Sequence, residues 1–205
     1  MLQHEAPSLS AINYVEWFHR KFRCPYPMAQ WSTIKNDHTA IINCVELYDL
    51  RTFLEIGTWK GYTALLVYLH NRIERVKCID IHKDMDVAFE HGYHGLGPKE
   101  EYGTFFKDTF VDLVFADTMK YARGCETHDF IFIDGAHDYE HVKNDTLLAI
   151  SMDPKVIMWH DYMTIGNDGV QQLIAELEIA GSRLVHYPGS ICVIARPQEV
   201  KLEKA

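Results

Sequence analysis

No C-x-x-C pair occurs in this chain. Its five cysteines, Cys24, Cys44, Cys78, Cys125 and Cys192, are odd in number and scattered, which argues against a disulfide framework and against a zinc knuckle. A reduced, cytoplasmic setting is the expectation. The N-terminus, MLQHEAPSLS, also lacks the basic-then-apolar pattern of a secretory leader. Uncharged stretches are short and broken by polar residues, so none is expected to span a bilayer. Clustered basic residues are missing too. With 20 Lys and Arg against 29 Asp and Glu, the net charge of −9 disfavours nucleic acid and anionic membrane as partners. Repeats and low-complexity segments are absent. What is present, 205 residues of which 47% are hydrophobic and 24% charged, suits one α/β domain with a modest extension.

From about residue 50 onward, β-rich apolar runs alternate with helical stretches. Strands are expected at Thr52–Ile56, Arg75–Ile81, Thr104–Lys107, Asp129–Asp134 and Lys155–Trp159. Helices are expected at Tyr62–Asn71, Thr109–Met119, Tyr139–Ile150 and Val170–Ala180, the last stopped by Gly181. Arg183–Tyr187 and Ile191–Ala195, joined by Pro188-Gly189-Ser190, read as a hairpin. Alternating strands and helices imply a parallel sheet covered on both faces, and the hairpin makes one strand antiparallel. Residues 1–50 differ: helices at Ala11–Phe22 and Thr39–Leu50 flank a stretch with two prolines, and form a small N-terminal helical cap. The α/β domain then spans 51–197 and a polar tail 198–205. His91–Gly103, with four glycines and a proline, reads as a loop.

After the first strand comes Glu55-Ile56-Gly57-Thr58-Trp59-Lys60-Gly61, an E-x-G-x-x-x-G turn opening a helix. Such glycines let the backbone turn sharply and approach a ligand, while the helix start supplies free N–H groups. The spacing is neither the dinucleotide G-x-G-x-x-G nor the P-loop pattern. Asp80 ends the second strand, 23 residues beyond Gly57, where an acid can hydrogen-bond the two ribose hydroxyls of an adenosyl ligand. Asp108, just past the expected third strand, is placed either to meet an adenine amine or to cap a helix.

Two further groups stand at strand ends, Ile133-Asp134-Gly135-Ala136-His137-Asp138-Tyr139 and Trp159-His160-Asp161-Tyr162. Adjacent parallel strands would bring Asp134, His160 and Asp161 together as ligands for a divalent cation. Carboxylates favour magnesium or manganese, and imidazole pulls toward iron, nickel or zinc. A hydrogen-bonded strand-end network without metal is the alternative.

In these residues the chain resembles class I S-adenosylmethionine-dependent methyltransferases over residues 50–195. The resemblance implies a Rossmann-like, seven-stranded, mostly parallel sheet whose C-terminal hairpin is antiparallel. It implies S-adenosylmethionine as cofactor, with Glu55, Gly57, Thr58 and Gly61 at the methionine end, Asp80 on the ribose, Asp108 at the adenine, and Asp134 completing the set. The I-D-G-x-H-x-Y and H-D-Y pair, with Val142, Asp145 and Gly169-Val170, is similar to cephalosporin-hydroxylase-like proteins and metal-dependent sugar and macrolide O-methyltransferases. That likeness implies Asp134, His160 and Asp161 as metal ligands, His137 as general base, and a small hydroxylated molecule as acceptor. Relatives commonly carry an acid where His160 stands, and Ser151-Met152-Asp153-Pro154 replaces their Pro-Gly-Gly turn.

Three other readings stay open at this stage: transfer to nitrogen without metal, a two-His-one-carboxylate iron site of an oxygenase, and a silent cofactor-binding protein. The sequence leaves a homo-oligomer open.

Overall fold

The computed structural model describes residues 10–23, 31–85, 96–124, 126–164, 166 and 168–202. Seven strands form one sheet in the order β3-β2-β1-β4-β5-β7-β6. They are β1 (Thr52–Ile56), β2 (Arg75–Asp80), β3 (Asp112–Phe115), β4 (Phe130–Ile133), β5 (Val156–Trp159), β6 (Val185–His186) and β7 (Val193–Ala195). The first five run parallel, while β7 is antiparallel to both β5 and β6. The α/β class, the seven strands and the terminal hairpin are as the sequence implies.

Among the described residues, five helices cover the sheet: α1 (Ala11–Lys21), α2 (Trp31–Leu47), α3 (Tyr62–Tyr68), α4 (Tyr139–Ser151) and α5 (Asp168–Ile179). Alternation along the strands splits the core in two. Phe53, Phe130, Phe132 and Met158 face α1, α2 and α3. Leu54, Ile56, Ile131, Ile133, Ile157 and Trp159 face α4 and α5. In α1 the buried residues Ala11, Tyr14, Val15 and Phe18 recur at helical spacing. The N-terminal helices are therefore one layer of a three-layer sandwich. Tyr14 is 1% exposed and donates its hydroxyl to the Leu66 carbonyl at 2.8 Å.

Three expectations are corrected. Residues 104–109 are turns, and the third strand lies at Asp112–Phe115, where a helix was expected. Gly103 turns with φ +65°, and the Phe106 ring folds back against it, so the run cannot stay extended. Phe110, within the expected helix, is 80% exposed, whereas Leu113, Val114 and Phe115 pair with β2. Second, α2 starts eight residues earlier than expected, which places Asp37 and His38 on a helix. Third, the tail is docked up to Leu202: Lys201 N–H donates to Ser182 Oγ, and Val200 and Leu202 pack on the core. Within the expected loop His91–Gly103, residues 91–95 lie outside the described residues, and Lys99–Glu101 forms a 3-10 turn. Among the described residues, no helix is long and apolar enough to cross a membrane. Cys44, Cys78 and Cys192 are buried and free.

Candidate active site

The chain winds from β1 outward to β2 and β3, then returns to build β4 and β5 on the other side. This reversal opens a crevice beyond the carboxyl ends of β1 and β4. There the structure holds a cavity of about 700 Å³ lined by the Glu55–Thr63 turn, Asp80, Asp117, Asp134 and Asp145, among others. Its size is that of a small-molecule site.

Gly57 makes the crevice possible. Its φ is +83°, and a Cβ there would sit 2.2 Å from the Asp134 carbonyl oxygen. Gly61, with φ +81°, lets the Phe106 ring lie against the start of α3. Between them the turn is held by Asp80, whose Oδ2 accepts the Thr58 and Trp59 N–H groups at 2.6 and 2.7 Å, while Oδ1 accepts that of Ile81 at 2.7 Å. Burial raises the Asp80 pKa, against the lowering by these three N–H donors. Asp80 thus borders the cavity, as expected of a sugar-binding acid, and also organises the turn. Glu55 is 1% exposed, accepts hydrogen bonds from Thr58 Oγ1 and Cys78 Sγ, and is pushed up to about 8, chiefly by burial.

Asp108 does not reach the cavity. It is exposed, on the turn before β3, because the third strand begins later than the sequence reading placed it. The acid that does follow β3 is Asp117, which the sequence reading missed. Asp117 lines the cavity and caps a 3-10 turn by accepting the Met119 N–H at 2.9 Å. Asp145 of α4 was noted only as a family match. It is 2% exposed, lines the same cavity, and is raised to about 6, chiefly by burial.

The second half of the site follows from register. Ile133 of β4 pairs with Trp159 of β5, so the residues that leave these strands, Asp134 and His160, emerge side by side. His160 Nδ1 lies 3.0 Å from Asp134 Oδ1 and 3.5 Å from Asp161 Oδ1. Its Nε2 lies 3.2 Å from Oδ2 of Asp37, a residue outside every motif of the sequence reading. Burial lowers the His160 pKa, but Asp134, Asp161 and Asp37 outweigh it and raise the imidazole well above its ordinary value. Asp161 is held low by His137 and His160 against its own burial, and sits at φ +62°, an uncommon conformation for a residue with a Cβ.

His137 Nε2 stands 2.7 Å from Asp161 Oδ2 but does not meet hydrogen-bond geometry, and the atom is buried. One donor atom from each of Asp134, His137 and Asp161 lies within 4.8 Å of the others. Two carboxylates and one imidazole grouped in this way are a donor set that a divalent cation takes. The donors grouped here are those of Asp134, His137 and Asp161, whereas the sequence suggested Asp134, His160 and Asp161; both nitrogens of His160 face carboxylates.

A sheet of this order, with a glycine turn after β1 and an acid ending β2, is that of a class I methyltransferase, the S-adenosylmethionine-dependent kind. The chain belongs to the methyltransferase-domain family, whose model matches residues 54–162. Solved structures agree on the fold. Protein 1320 of Thermoplasma acidophilum is 13% identical with a TM-score of 0.58, covering 91% of this chain and 96% of its own. The N-methyltransferase NodS of Bradyrhizobium japonicum, in complex with S-adenosyl-L-homocysteine, is 12% identical with a TM-score of 0.54, covering 92% and 97%. A putative caffeoyl-CoA O-methyltransferase of Staphylococcus aureus is 14% identical with a TM-score of 0.52, covering 95% and 94%. No curated protein matches the chain in sequence.

Proposed function

We propose that this enzyme transfers a methyl group from S-adenosylmethionine to a hydroxyl of a small molecule, assisted by a divalent cation held by Asp134, His137 and Asp161. One observation carries this reading: Asp134 borders both the cavity and the acid cluster, so a donor in the first would meet an acceptor at the second. Bound S-adenosylmethionine supplies an electrophilic methyl group on a sulfonium. The buried Glu55 carboxyl suits its positive charge, and the Gly57 turn lets backbone approach it. The structural relative NodS was solved with S-adenosyl-L-homocysteine, which agrees with that cofactor. When bound, the cation would lower the acceptor's pKa and orient it. An acceptor acidified in this way loses its proton to solvent, and transfer then rests on in-line positioning. In this reading His137 is a ligand, replacing its expected role as base.

Substitution of His137 tests this directly. His137→Ala is expected to weaken manganese binding at least tenfold, with S-adenosylmethionine affinity unchanged, both by calorimetry. Unchanged manganese affinity with turnover lowered on the order of 10²–10⁴ would return His137 to the role of base. A second reading is favoured by His160, whose ring nitrogens face three carboxylates. There the cluster needs no ion and the acceptor is nitrogen. Turnover that survives chelator, in protein carrying no divalent ion, would select that reading.

A further inference from the structure

Asp37 lies on α2, outside the segment matched by the family model, and is 3% exposed. Its Oδ1 accepts the Ser190 hydroxyl and, at 3.0 Å, the Ile191 N–H, both from the connection between β6 and β7. Its Oδ2 is left for His160 Nε2 at 3.2 Å. The opposite ring nitrogen, Nδ1, is 3.0 Å from Asp134 Oδ1. Phe132 packs edge-on to the same ring, with centroids 5.6 Å apart, and restricts its tilt. Tilt alone does not orient an imidazole. A half-turn about Cβ–Cγ would keep the ring's plane yet put carbon where each nitrogen now stands. The two carboxylates remove that ambiguity, and Asp37 is the one held independently, by two donors from another element.

We propose that Asp37 is a positioning residue for the active site: it fixes the His160 ring and, through it, the direction of the Asp134 carboxylate. This rests on the reading of Asp134 as part of the site. Partners behind a ligand commonly set its orientation, and their loss typically costs ten- to a hundredfold in metal affinity. A bare structural role predicts otherwise, because α2 is tied to the same connection elsewhere, by Asn36 to the Gly189 carbonyl and by Asn43 to the Tyr187 hydroxyl.

The experiment is nitrogen-15 NMR of the His160 ring, assigned with His160→Gln, in wild type, Asp37→Ala and Asp37→Asn. Wild type is expected to show a Nδ1–H proton protected from exchange. Asp37→Ala should lose that protection, and Asp37→Asn should restore it, since its amide can donate to a neutral Nε2 and keep the ring oriented. Should Asp37→Ala not fold, Asp37→Ser keeps a short acceptor for the Ile191 N–H but cannot reach His160, and replaces it. Unchanged protection in a folded Asp37→Ala or Asp37→Ser protein overturns the proposal. Manganese affinity is the second readout: a ten- to hundredfold loss in Asp37→Ala and none in Asn43→Ala. Wild-type protein that binds no manganese would overturn the cation reading above, and the NMR comparison would still decide the role of Asp37.

Discussion

Glu55 sits in an environment far from what its type prefers. An acid on a strand between Leu54 and Ile56, 1% exposed, keeps its proton to about 8 rather than to its ordinary 4.5. Between those values the folded protein holds a proton that the unfolded chain has released. This group's contribution to stability is therefore full at acid pH and falls as pH rises toward 8. Glu55→Gln keeps the shape of the neutral acid and cannot ionise. Its melting temperature is expected to match wild type near pH 5 and exceed it increasingly toward pH 8. A difference on the order of a few kcal/mol corresponds to roughly 2–4 °C per kcal/mol in a chain of this size. Thermal scans across that range check it, and a constant offset at all pH values would contradict it.

At the scale of elements, β3 and the turn after it repay attention to register. Asp112–Phe115 pairs with Lys77–Asp80, and the Ala116 N–H continues the ladder to the Asp80 carbonyl at 3.0 Å. That places Asp117, not Asp108, beside the cavity. Asp117→Ala is expected to weaken S-adenosylmethionine binding about tenfold by calorimetry, and Asp108→Ala to leave it unchanged. Equal effects of the two would show that Asp117 does not bind the cofactor. The outer part of the sheet also marks where sequence stopped being informative. Strand β1 was readable to the residue, because Thr52–Ile56 is a buried run bounded by turn residues, and Asp134 was readable because it directly follows the apolar Phe130–Ile133. At the sheet's margin Leu113, Val114 and Phe115 are only half-buried, so helical and strand periods fit them equally. The alternating apolar residues before Ala116-Asp117 were the available signal, and the exposed Phe110 obscured it. Asp37 gave no local signal. Its meaning lies in His160 and Ile191, 123 and 154 positions away, and no window along the chain contains them.

Across the whole molecule, the N-terminal helices belong to the core. Val15, Phe18, Ile41, Ile42 and Val45 are at most 1% exposed and share a cluster with Phe53, Phe130 and Phe132. Removing residues 1–35 strips α1 from that face, and several side chains of this size each lose about 1.5–3 kcal/mol of burial. The truncated protein is expected to be insoluble or to lack a cooperative unfolding transition by circular dichroism. A soluble truncation that unfolds cooperatively and binds S-adenosylmethionine would show the helices to be a dispensable cover. The same connectivity has a consequence for how the protein is made. Synthesis proceeds from the N-terminus at ~5–20 residues per second, and domains begin to organise as they emerge. Asn36 and Asp37 are made more than 150 positions before the groups they bind, from Gly189 to Ile191. A growing chain can assemble the glycine turn and the cavity around β1 and β2 long before those partners exist. Until the final hairpin arrives, Asp37 has only water to satisfy it, and nothing holds His160 from behind. An intermediate of synthesis that still lacks the β6–β7 hairpin would thus present a crevice around β1 and β2 before Asp37 has its partners.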